Sequence, residues 1–156
     1  MSPGVVVLVV AVVAALAFGT WRALTDGRFR GTRAVRRAQP AAAGSTDPAA
    51  PPVTASVLAG TPWAAGLGDR ATLLQFSSAF CAPCRATRRV LADVAGIVPG
   101  VTHIEVDAEQ HLELVRRLGV LRTPTTLVLD AAGHEVTRAA GAPSKQAVIA
   151  SLGALA

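Results

Sequence analysis

Tyrosine is absent from this 156-residue chain, and only four phenylalanines and two tryptophans supply aromatic surface. Proteins that hold nucleic acid stack bases on such rings above a basic groove. The formal net charge of +5 invites that reading, but the charge is unevenly placed. Up to Pro40, six arginines (Arg22, Arg28, Arg30, Arg33, Arg36, Arg37) stand against Asp26 alone. From Ala41 onward, nine basic residues face nine acidic ones. The body of the protein is neutral, and a nucleic-acid partner is excluded. Cysteine is scarce as well, with two in the whole chain. A metal site would need two further good ligands, and His103, His111 and His134 show no ligand pairing, so no metal is expected. The length admits one ordinary domain and an appendage, not a second full domain.

The first feature present in abundance is a hydrophobic run. Residues 4–21 (GVVVLVVAVVAALAFGTW) carry no charge. A helix rising about 1.5 Å per residue needs roughly 20 such residues to cross the hydrocarbon core. Trp21 suits an interfacial anchor. A buried soluble helix is rarely apolar on every face. A cleaved signal peptide competes with this reading, since Ala15-Leu16-Ala17 offers a small-x-small pattern. Such a peptide wants a basic n-region, however, and Met-Ser-Pro-Gly supplies only the terminal amine. The arginines begin after Trp21, and basic flanks stay on the cytoplasmic side. Residues 4–21 are therefore expected to be a transmembrane helix of a single-pass cell-membrane protein. Residues 22–37 form an Arg-rich juxtamembrane segment, and everything after Trp21 is cytoplasmic. The arginines chiefly set topology, although each can also attract anionic lipid by about 1 kcal/mol.

Residues 38–56 are rich in Pro and Ala without an apolar period and read as a linker. The folded domain is expected over residues 57–156. Within it, residues 72–77 read as a buried strand and 85–98 as a helix with Val90, Leu91, Val94 and Val98 at helical spacing. Residues 101–107 alternate as a strand, and 111–118 form a short helix stopped by Gly119. Residues 125–129 and 135–139 form a hairpin about Ala132-Gly133, and Ser144 or a neighbour caps a last helix running through Leu152. Residues 52–70 give no clear pattern. The order β-α-β-α-β-β-α makes an α/β domain, a mixed sheet covered by helices on both faces.

The two cysteines stand three apart, as Cys81-Ala82-Pro83-Cys84, where strand gives way to helix. A sulfur at a helix N-terminus faces unpaired N–H groups and the positive end of the helix dipole, which stabilise a thiolate. Cys81 is thus the expected nucleophile. Cys84, one turn further in, is placed to resolve a mixed disulfide. Arg85 adds positive charge in support of the thiolate; Arg88 and Arg89 lie nearby or face solvent. A haem attachment site would need His after Cys84, where Arg85 stands. A purely structural disulfide across so short a loop would add little stability. No cofactor is called for.

FCAPC after a strand, followed forty residues later by GVLRTPT ahead of an apolar strand, resembles the thioredoxin superfamily over roughly residues 57–156. The resemblance implies a thioredoxin-like sheet and a cis Pro124 packed opposite the cysteines. It also implies a substrate groove formed by Phe80, Thr123, Pro124, Gly141 and Ala142, with the backbone of Thr123 pairing with a substrate strand. Two positions depart from the family pattern. Phe80 replaces a usual Trp, keeping an apolar surface but losing the indole donor. Gln75 replaces a buried Asp that assists deprotonation of the second cysteine, and His103 aligns with the lysine that partners that Asp. Gln cannot accept the proton, so resolution by Cys84 is expected to be slower or to use another route. The remaining histidines are expected on the surface.

The expected function is membrane-anchored thiol–disulfide oxidoreduction on disulfide-containing protein substrates, driven by an upstream thiol reductant, with lipid met through the N-terminal helix. A second reading keeps the chemistry and reverses the topology. It resembles the extracytoplasmic tethered thioredoxins of cytochrome maturation or disulfide formation, although no insertion between the central strand and helix is evident. A third reading is a redox-inactive thioredoxin-like docking module.

Overall fold

The computed structural model describes residues 3–31 and 56–155. The expected linker, apart from Ser56, and the arginines beyond Gly31 lie outside the described residues. Helix α1 covers Pro3–Thr25. Its segment Pro3–Trp21 has a mean hydropathy of 2.5, and none of it is buried against the rest of the protein. By length and composition it is able to cross a membrane.

The domain follows the order read from the sequence. Strand β2 is Ala71–Ser77, helix α2 Ala82–Ile97, strand β3 Val101–Asp107 and helix α3 Leu112–Arg117. Strands β4 (Thr125–Asp130) and β5 (Glu135–Ala140) form the hairpin, and helix α4 is Lys145–Gly153. One strand was not foreseen. Directly after α1, β1 (Phe29–Gly31) pairs antiparallel with β5, with Phe29 opposite Ala139. Among the described residues the sheet therefore has five strands in the order β1-β5-β4-β2-β3. A three-residue strand carries too little periodicity to be recognised from sequence, and its arginine-rich setting hides it further.

β2 is an internal strand, parallel to β3 on one side and antiparallel to β4 on the other. Every residue of β2 is buried. That is the pattern of a strand covered on both faces, and it explains why β2 reads as a continuous apolar run rather than an alternation. On one face Leu73 and Val128 pack with Leu91 and Val94 of α2 and Val148 and Leu152 of α4. On the other, Leu74, Phe76 and Leu127 pack with Leu114 of α3 and with Leu58. Each fully buried aliphatic or Phe side chain stabilises by about 1.5–3 kcal/mol.

Residues 56–70, unassigned from sequence, lie across this second face. Leu58 is wholly buried, while Trp63 and Leu67 pack beside it around a single 3-10 turn, Ala64–Gly66. The two remaining histidines are half-buried rather than on the surface. His111 meets Trp63 edge-on at 4.7 Å between ring centroids, and His134 pairs with Asp130. Such contacts join residues far apart in sequence or in a turn, where composition alone gives no sign of them.

Candidate functional site

The site is assembled at the end of β2, where the chain turns into α2. Cys81 is the N-cap of α2, with Pro83 in the first turn, where its missing N–H costs nothing. The Cys81 Sγ accepts a hydrogen bond from the Cys84 N–H at 3.1 Å, so the sulfur occupies the place of a capping oxygen. Cys84 is on the inner face of α2 and 1% exposed, whereas Cys81 is half-exposed. The two are joined in a disulfide with Cα atoms 5.2 Å apart. One sulfur therefore faces outward on the helix dipole and the other is held behind it. Phe80, next to Cys81, is 100% exposed, and Arg85 is exposed on the first turn of α2.

The loop before β4 closes the other side. The Thr123–Pro124 peptide bond is cis. The Thr123 hydroxyl is 3.1 Å from the Ser78 hydroxyl, a bond that ties this loop to the segment leading into Cys81. Thr125 Oγ1 donates to the Arg122 carbonyl at 2.7 Å and braces the loop from within. Among the described residues, neither the N–H nor the C=O of Thr123 has a partner, so both stand open to an incoming strand. Gly141 donates its N–H to the Pro124 carbonyl at 2.8 Å, which sets Gly141 and Ala142 beside the cis bond. Gly141 has φ +101°, a conformation that side chains rarely adopt. These bonds bring Thr123, Pro124 and Gly141 next to the segment that leads into Cys81. Ser78 and Arg122 take part in the same set of contacts, and no spacing rule would have found them.

Beneath Cys84 runs a polar row in an otherwise apolar layer. Thr126, Gln75 and Glu105 are aligned across β4, β2 and β3. Gln75, wholly buried, donates from Nε2 to the Cys84 carbonyl at 3.0 Å. Its Oε1 accepts from His103 Nε2 at 3.1 Å, which fixes the proton of neutral His103 on Nε2. Burial pushes the His103 pKa below its usual value, with Glu105 opposing the shift and Arg88 adding to it. Arg88 and Glu105 themselves form an ion pair at 2.7 Å. Thr87 Oγ1 and Thr126 Oγ1 are buried in the same layer without a hydrogen-bond partner. Among the described residues there is no cluster of three or more metal-ligating side chains.

A family profile described as a thioredoxin-like domain matches residues 62–156, more than half of the chain. The protein belongs to the thioredoxin-like family. Thioredoxin H2-1 of Oryza sativa subsp. japonica is 34% identical over 70 residues, covering 45% of this chain and 50% of its own. The thioredoxin of Chlamydia trachomatis serovar D is 32% identical over 77 residues, covering 49% of this chain and 74% of its own. The chain thus spans about half the length of some curated relatives that it matches. Among solved structures, the thioredoxin of Fasciola hepatica superposes with a TM-score of 0.51 at 25% identity, covering 57% of this chain and 84% of that one. The profile match begins at residue 62, after α1 and β1.

Proposed function

We propose that the protein is a membrane-anchored thiol–disulfide oxidoreductase acting on disulfides in protein substrates. The Cys81 thiolate attacks one sulfur of a substrate disulfide, forming a mixed disulfide and releasing the other substrate sulfur as a thiolate. Cys84 then loses its proton and attacks Cys81 Sγ. The Cys81–Cys84 disulfide forms, and the second substrate thiolate leaves. Two electrons have passed from the dithiol to the substrate, and an upstream thiol reductant restores the dithiol. The observation that carries this reading is the outward Cys81 Sγ at the helix N-cap, with Cys84 buried behind it and the open backbone of Thr123 alongside. In this role Phe80, Thr123, Pro124, Gly141 and Ala142 receive the substrate strand, and Arg85 supports the thiolate.

α1 anchors the domain, and the arginines after Trp21 place it on the cytoplasmic side. A reporter fused after Ala156 tests the topology. Alkaline phosphatase activity outside the membrane would reverse the assignment and favour the extracytoplasmic reading. A Cys84→Ser variant tests the chemistry, because it should accumulate mixed disulfides through Cys81. If none form, and the wild-type protein turns over no disulfide, the redox reading fails and the docking reading takes its place.

A further inference from the structure

The segment that leaves α1 is built into the domain beside the groove. Gly27 donates its N–H to the Ala140 carbonyl at 2.9 Å, and β1 continues that pairing along β5. Asp26 forms an ion pair with Arg122, whose guanidinium also donates to the Ala140 carbonyl at 2.7 Å. The approach is close. A Cβ on Gly141 would come within 2.7–2.8 Å of the Asp26 carboxylate, and one on Gly27 would overlap the Ala142 carbonyl oxygen. Phe29 packs against the core cluster beneath α2 and α4. The partners of this strap, Arg122, Ala140, Gly141 and Ala142, are the immediate neighbours or members of the groove.

This arrangement has a geometric consequence. From Trp21 to Thr25 the helix rises only about 6 Å, and the domain begins at Gly27. The connection between Gly31 and Ser56 cannot act as a tether between span and domain, because both its ends are held on the domain. Gly31 lies in the sheet, and Val57 donates its N–H to the Gly133 carbonyl at 2.9 Å. The Gly141–Ala142 edge of the groove is therefore held against Asp26 and Gly27, immediately after the end of α1. Leu121, which precedes Arg122, is 95% exposed and adds apolar surface on the same loop.

We propose that the strap formed by residues 26–31 holds the disulfide site at the bilayer surface and confines its substrates to disulfides in the juxtamembrane segments of membrane proteins. The proposal rests on reading α1 as a membrane span and Cys81–Cys84 as the redox pair. The full chain is reconstituted in phosphatidylcholine vesicles with dithiothreitol as donor. The probe is a peptide containing one disulfide, coupled to a lipid headgroup through a Gly/Ser spacer of about 5 or about 25 residues. Probe and enzyme share one bilayer, and the depth of the layer that the probe explores grows roughly as the square root of spacer length, so the short spacer should be reduced about twofold faster. A variant with about 20 Gly/Ser residues inserted between Thr25 and Asp26 keeps the strap docked but frees the domain from the surface. Its short-to-long ratio should fall to about one. An Asp26→Lys, Gly27→Val double variant undocks the strap and should lose the preference in the same way. Both variants should reduce the same disulfide peptide, free in solution, at the wild-type rate. Equal rates for the two spacers in the wild type, or an insertion variant that keeps the wild-type ratio, would overturn the proposal. Failure to reduce the soluble disulfide would instead bring down the redox reading, and release of the chain by alkaline carbonate the membrane reading, each taking the proposal with it.

Discussion

Gln75 hydrogen-bonds the carbonyl of Cys84 from beneath helix α2, and the same amide receives its other bond from His103. The buried side chain bonded to the backbone of the resolving cysteine is thus an amide, which orients but takes no proton. Substituting Gln75→Asp puts a proton acceptor there. The rate at which Cys84 resolves a mixed disulfide, measured by stopped-flow quench at pH 7, should rise by up to roughly 10²-fold, the lower end of general-base catalysis. An unchanged rate would mean that deprotonation of Cys84 does not limit resolution.

His103 makes stability depend on pH. Its folded pKa is lowered, chiefly by burial, whereas the unfolded side chain titrates near the ordinary value of 6.5. As pH falls through that value, the unfolded chain takes up a proton that the folded protein resists, so stability falls. The loss ends once folded His103 is itself protonated. Urea unfolding in detergent micelles at pH 7.5 and 5.5 should show this loss in the wild type and a smaller one in His103→Asn.

Leu58 lies in a stretch with no periodic pattern, yet it is wholly buried among Leu74, Phe76 and Leu127. Leu58→Ala should cost about 2–5 kcal/mol of unfolding free energy, as much as a change in the regular core. A cost below about 1 kcal/mol would mean that residues 56–70 do not close this face.

Arg138 and Glu135 form a side-chain ion pair only 14% and 8% exposed, and Arg138 also donates to the Leu118 carbonyl at 2.9 Å. Arg138→Ala removes the bidentate bonds to Glu135 and the bond to the Leu118 carbonyl, and should destabilise by about 1.5–3 kcal/mol, read from denaturant midpoints at constant slope. A cost below about 0.5 kcal/mol would mean that this pair contributes no more than an exposed one.

The elements that were legible in the sequence are those whose periodicity is their cause. β2 is an apolar run because both its faces are covered. The face of α2 that carries Leu91 and Val94 is the face that packs. Ser144 caps α4 by accepting from the Ala147 N–H at 3.2 Å, as Ser at that position leads one to expect. The cysteine pair was legible because its spacing and its place at a strand–helix junction are local facts. What escaped is made between distant residues. β1 has three residues and takes its register from β5, more than a hundred positions away. Asp26 finds Arg122 across 96 positions, and Ser78 finds Thr123 across 45. No local pattern specifies such pairings, because they depend on how the finished sheet brings its ends together.

The most direct measurement is disulfide turnover by the full chain in micelles, with dithiothreitol as donor and insulin as the protein disulfide, for the wild type, Cys81→Ser and Cys84→Ser. The expected result is turnover by the wild type, none by Cys81→Ser, and a trapped mixed disulfide through Cys81 in Cys84→Ser. Turnover that survives Cys81→Ser, or a wild-type protein that reduces nothing and traps nothing, would contradict the assignment of Cys81 and Cys84 as a working redox pair.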